Sequence, residues 1–140
     1  MKYKEWLDVW FANYIEPSSK TKTCERYSEI IEKYLNIKLG EYELEELSPI
    51  VIQKYITELM QSGNLTTGKG LAVNSVNGII TVIQDSLKLA YTLGELKKYT
   101  TDKIRRPKFK RKRLVAFLNT ATIVLLWIFV NKIFYEKKLH

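Results

Sequence analysis

Seven of the nine residues in the run Arg105–Arg113 (RRPKFKRKR) are basic, and none is acidic. Cations at that density do one kind of chemistry well: they neutralise the charges of a polyanion and displace its counterions. The 104 residues before the run hold 13 Lys/Arg and 14 Asp/Glu, a net of −1. The run adds +7, and the residues after it add +2 to complete the chain's +8. The basicity is therefore one strip joined to a near-neutral segment. With a proline inside it and no apolar periodicity, the strip repels itself and stays extended rather than entering a core. Three partners suit it: a nucleic acid, an anionic membrane surface, or solvent alone.

Two further groups of polar residues have the spacing to support the first of these. KTKTCERY (Lys20–Tyr27) places Lys20, Lys22 and Arg26 with Thr21 and Thr23 around the start of a helical pattern. A helix N-terminus accepts phosphate, and short polar side chains there can reach base edges. The same residues also suit a solvated first turn capped by a threonine. NSVN (Asn74–Asn77) follows Lys69 and opens the longest apolar pattern in the chain. Asparagine can pair with adenine in the major groove, while Asn74 or Ser75 could equally cap the helix.

Other chemistries are poorly supplied. The single cysteine, Cys24, allows no internal disulfide and no cysteine zinc site, and reads as a small half-buried residue. The single histidine is His140, so a placed imidazole is not expected. No cofactor and no metal are expected. The N-terminus, MKYKEWLDVWF, lacks the apolar run of a signal peptide, and the expected location is the cytoplasm, on the nucleoid if DNA is bound.

The elements that must position these groups are helical. Trp6, Val9, Trp10 and Tyr14 form a stripe over Tyr3–Tyr14, which Pro17 ends. Tyr27, Ile30, Ile31, Tyr34 and Leu35 form the apolar face of a second helix, from Ser19 to a C-cap at Gly40. Leu44 and Leu47 in EYELEEL are expected to plug the core. Ser48 and Pro49 open a third helix that carries Val51, Ile52, Tyr55, Ile56 and Leu59 to Met60. After the polar loop SGNLTTGKG, a fourth helix over Ala72–Thr92 has the stripe Val76, Ile79, Ile80, Ile83, Leu87, Ala90 and Tyr91. Gly94 ends it, and a short fifth helix is expected over Glu95–Tyr99. The aromatics on these stripes read as core rather than as a base-stacking platform.

Beyond the strip the composition changes. No charge occurs between Leu114 and Val130, a stretch of 17 residues at the short limit for a membrane span. A basic cluster before such a stretch is also what the positive-inside rule describes.

The order of these features resembles the N-terminal core-binding domain of tyrosine recombinases, the phage-integrase family. The resemblance runs over about residues 3–113. Thr23, Tyr27 and Leu39-Gly40 match its second helix. Leu44, Leu47, Ser48, Ile52, Gln53, Tyr55 and Leu59 match the segment that follows, and Ser75, Val76, Asn77, Ile79, Ile83 and Ala90 the next helix. The resemblance implies an all-α, SAM-like bundle of four to five helices that forms half of a clamp on double-stranded DNA. It implies DNA contacts from Lys20, Lys22, Thr23, Arg26, Asn74, Ser75 and Asn77, and from Arg105, Arg106, Lys108 and Lys110 on the linker; Lys69 and Arg111 are expected to join them. The expected organisation is a core-binding domain over residues 1–104, a linker over 105–113 and an apolar tail over 114–140.

The resemblance stops near Phe117, where the family's catalytic domain would begin. Tyr135 lacks the arginines and histidine that would activate a phosphate, so no strand cleavage is expected. The tail is expected to be a truncated or frameshifted remnant, which the downstream genomic sequence tests. The alternative is a membrane-anchored protein whose span lies in 114–135. Besides DNA, intact recombinase subunits are the expected partners.

Overall fold

The computed structural model describes residues 1–99, 101–108 and 123–135. The chain divides into two units, Met1–Pro107 and Lys108–His140.

The first unit is helical. Its main helices are α1 (Tyr3–Trp10), α2 (Thr21–Ile30), α3 (Pro49–Ser62) and α4 (Val73–Thr92). α1 runs on through one wide π turn at Phe11–Ile15; α2 does the same at Ile31–Leu35 and closes at Asn36–Lys38. Single 3-10 turns lie at Leu44–Glu46 and Thr101–Lys103. Among the described residues no strand forms beyond an isolated bridge between Lys2 and Glu43. The all-α class expected from the sequence is the observed one among the described residues.

Each helix is placed by the face it buries. On α1, Tyr3, Trp6, Leu7 and Trp10 are buried, a three-four spacing on one side of a helix. Val9 and Tyr14, expected on this stripe, are 41% exposed. The stripe drifts with the helix, and Tyr3 and Leu7 occupy the core side instead. Trp10 stacks on Tyr27 of α2, with ring centroids 6.0 Å apart and planes 15° from parallel, an offset-stacked pair. Ile30, Ile31 and Leu35 of α2 are buried. Leu44 and Leu47 plug the core as expected.

α3 starts where the sequence signals it: Ser48 Oγ accepts from Val51 N at 3.4 Å, and Pro49 occupies the first turn. Ile52, Tyr55, Ile56 and Leu59 face inward. Tyr55 donates its hydroxyl to the Tyr34 carbonyl at 2.9 Å.

α4 is the central helix. Val76, Ile79, Ile80, Val82, Ile83, Leu87 and Ala90 are buried, and so is the polar Ser86. Ser86 has a reason to be there. Its hydroxyl lies 2.8 Å from Tyr3 Oη, and its carbonyl accepts from Trp6 Nε1 at 2.8 Å. These bonds join α1 to α4 inside the core, where each polar atom needs a partner. Burial pushes the Tyr3 hydroxyl well above the usual phenol range.

Three expectations at element ends are corrected. Tyr91 is exposed rather than core, and packs on Tyr99 with ring centroids 5.7 Å apart. Gly40 is not a left-handed cap. Leu39 is the cap, and Gly40 is needed for close approach, since a Cβ would stand 2.5 Å from the Asn36 carbonyl oxygen. The fifth helix over Glu95–Tyr99 is absent. Gly94, at φ +84°, closes α4 with bonds from Glu95 N to Ala90 O and from Gly94 N to Tyr91 O, a Schellman motif. Leu96 then turns into the core. With Leu96 drawn into the core two residues after a left-handed glycine, the five residues Glu95–Tyr99 have no room to nucleate a helix.

In the second unit, a helix over residues 123–135 exposes apolar side chains along its length, from Ile123 to Tyr135. The described part spans about 20 Å at the standard rise. Among the described residues no helix is long and apolar enough to cross a membrane. Residues 114–122 of the expected span lie outside the described residues.

Candidate nucleic-acid interface

The free amides at a helix start must be satisfied by a cap, by water or by a ligand. At α1 the Glu5 carboxylate accepts from Lys2 N, and at α3 Ser48 supplies the cap. α2 and α4 begin without a side-chain cap: Lys20 and Ala72 hold the extended cap position and offer no side-chain acceptor. Asn74 and Ser75, which the sequence offered as caps for α4, make no cap bond and are exposed. Nor does a threonine cap α2, since the cap position falls on Lys20. The two uncapped helices are the two that carry the candidate DNA-binding residues.

α2 and α4 meet beside those starts. Arg26, Glu29, Ile30, Tyr34, Ser75 and Ile79 line a cleft of about 170 Å³. Arg26 reaches across it because α4 has no side chain at Gly78: a Cβ there would collide with the Arg26 guanidinium. Lys22 lies one turn before Arg26 on the same side of α2, and Lys20, Lys22 and Arg26 are all exposed. Thr23 is half-buried. Glu29, the carboxylate in the cleft, is held by Lys33 at 2.9 Å.

Asn77 lies deeper than expected. Its Oδ1 is buried and has no hydrogen-bond partner among the described residues. Lys69 stands exposed at the end of a built loop. There Asn64 Oδ1 accepts from Thr66 N and Thr67 N, and Asn64 N donates to the Lys69 carbonyl at 2.8 Å.

The start of the basic strip is anchored to this unit. The Gln53 side chain of α3 pairs with the Arg105 backbone: Arg105 N donates to Oε1 at 2.9 Å, and Nε2 donates to the Arg105 carbonyl at 3.3 Å. The next guanidinium, Arg106, donates to three acceptors on α4: the Asn77 carbonyl at 3.1 Å, Thr81 Oγ1 at 3.2 Å and Gln84 Oε1 at 2.8 Å. Arg26 and Arg106 thus both engage the Asn77–Gly78 segment.

The structure therefore brings together Arg26, Ser75, Asn77 and Arg106, with Lys22 adjoining. It shows no direct contact from Lys20, Lys69 or Asn74 to that group. Lys108 is exposed and belongs to the second unit; Lys110 and Arg111 lie outside the described residues. Gln53, Thr81 and Gln84 were not expected as site residues. Gln53 has a place in the family pattern but no role there, and Thr81 and Gln84 carry no local signal at all.

Residues 2–60 match the family model of the phage integrase N-terminal SAM-like domain. Over that segment the chain is similar to the family. The fold agrees. The solution structure of a phage integrase SAM-like domain from Moorella thermoacetica superposes with a TM-score of 0.62 at 24% identity, covering 78% of this chain and 87% of that one. A fragment from Clostridium leptum superposes with a TM-score of 0.63 at 19% identity, covering 79% of this chain and 93% of that one. No curated protein matches the chain. The integrase match is to the N-terminal SAM-like domain and does not include a catalytic domain. The matched segment contains α1, α2 and most of α3. Lys20, Lys22, Thr23 and Arg26 fall inside it, while α4 and Arg106 lie beyond.

Proposed function

We propose that this SAM-like domain binds double-stranded DNA as the core-binding half of a site-specific recombinase that moves a mobile element. The observation that supports the reading most is the convergence of α2 and α4. Two helix starts without side-chain caps flank a cleft reached by Arg26 and adjoined by Lys22, and the basic strip is anchored on the same helix, α4. Phosphates suit such a surface, because uncapped amides and nearby cations both favour anions.

In this reading Lys20, Lys22, Arg26, Lys69, Arg105 and Lys108 contact phosphates, as do Lys110 and Arg111 further along the strip. Thr23, Asn74 and Ser75 stand where base edges come within reach, and Asn77 supports them from the helix interior. Residues 1–140 bind and do not cleave. Tyr135, the tyrosine nearest the C-terminus, follows no cluster of arginine and histidine that would make it a nucleophile.

The test is a salt-titrated fluorescence-anisotropy measurement on the full chain with duplex DNA. The logarithm of the binding constant is expected to fall linearly with the logarithm of salt, at a slope of roughly −7 for the eight phosphate contacts named. Absence of binding at low salt would overturn the reading.

A further inference from the structure

Arg105 and Arg106 are neighbours of the same type, yet the structure treats them differently. Arg105 is held through its backbone, by both ends of the Gln53 amide, and its side chain is exposed. Arg106 is exposed as well, but its guanidinium is held: it donates to Asn77 O, Thr81 Oγ1 and Gln84 Oε1. The acceptors form one network. Thr81 Oγ1 itself donates to the Asn77 carbonyl at 3.0 Å, and Gln84 Nε2 donates to the Thr101 carbonyl at 3.1 Å. Ile104 is buried just before the two arginines. From Thr101 to Arg106 the backbone is thus fastened to α3 and α4 by two glutamines, one arginine and one apolar anchor.

We propose that Arg106 is a positioning residue, which with Gln53 and Gln84 fastens the segment Thr101–Arg106 to α3 and α4 so that the Arg105 side chain meets DNA from a fixed backbone. This rests on the DNA-binding reading above. The physical reason is preorganisation. A guanidinium with three protein acceptors has most of its donors committed, and a phosphate would have to displace them. A cation on a fixed backbone loses less conformational freedom on binding than one on a loose end. Arg105, fixed at its backbone with its side chain exposed, is the phosphate contact of the pair.

The test compares full-length variants by salt-titrated anisotropy on duplex DNA, with circular dichroism melts alongside. Arg105→Gln is expected to reduce the magnitude of the salt slope by about 0.9, the signature of one lost phosphate. Arg106→Gln, Gln84→Ala and Gln53→Ala are each expected to weaken binding roughly three- to tenfold, the scale of ordering a few groups on association, with the slope unchanged. Arg106→Gln combined with Gln84→Ala is expected to lose no more than either alone, because both break one network. Gln53→Ala leaves Arg106 in place and keeps the test valid should Arg106→Gln melt early. A slope drop of one phosphate for Arg106→Gln, or wild-type binding by both glutamine variants, would overturn the proposal. If the wild-type chain itself fails to bind at low salt, the DNA-binding reading fails and this inference fails with it.

Discussion

At the scale of single residues, Gly78 is the position where stability and binding are expected to part. It lies in the interior of α4 and faces the Arg26 guanidinium. Glycine in a helix interior is less favourable than alanine by roughly 0.5–1 kcal/mol. Gly78→Ala should therefore raise the melting temperature, since the atom a Cβ meets is the end of a flexible side chain. It should also push Arg26 out of the cleft and weaken DNA binding. Thermal melts and anisotropy on the same preparation check both halves, and unchanged affinity would argue against a role for Arg26. Tyr3→Phe tests the core polar tie. It leaves the buried Ser86 hydroxyl without its 2.8 Å partner, a loss of about 1–2 kcal/mol in denaturant unfolding. DNA binding by the folded variant should not change.

At the scale of elements, the helix ends divide into those closed by the chain itself and those left open. Ser48 closes the start of α3, and Ser48→Ala should lower stability by about 1 kcal/mol. Gly94 closes the end of α4 at φ +84°; Gly94→Ala should lower stability by roughly 1–2 kcal/mol, because a Cβ strains the left-handed region. Both are read by chemical denaturation, and neither should alter the salt slope of DNA binding. These closures were legible before the fold was known, since Ser-Pro and a terminal glycine act through local geometry. The fifth helix was not. Its pattern is compatible with a helical turn, and only the burial of Leu96 shows why the chain leaves that path.

At the scale of the whole molecule, charge sets both partner and pH response. Glu41 ties the chain's start to the end of α2. It accepts from Lys4 Nζ at 2.6 Å and from Lys2 Nζ at 3.0 Å. Hydrogen bonding to Lys4, then to Lys2, lowers its carboxyl from the ordinary 4.5 to about 2. A depressed folded-state value means the contribution is present above the unfolded value and is lost as pH falls toward about 2. The group is exposed, so the effect is small; Glu41→Gln should flatten the stability profile between about pH 4.5 and 2 in acid titrations followed by circular dichroism, relative to wild type. The sequence alone determined the helical class, most of the apolar stripes and the location of the basic strip, because periodicity, caps and local charge density act over a few residues. It also offered Lys22, Arg26, Asn74, Ser75, Asn77 and Arg106 as one family's pattern, without saying which of them meet. Only the tertiary structure decided that Arg26 crosses to Gly78, that Asn77 Oδ1 is buried, and that Arg106 is engaged by Asn77, Thr81 and Gln84. Those contacts join residues about 20 to 50 positions apart, and no local signal specifies them. They follow from packing α2 and α3 against α4, which sets the distances between groups that the chain order leaves open.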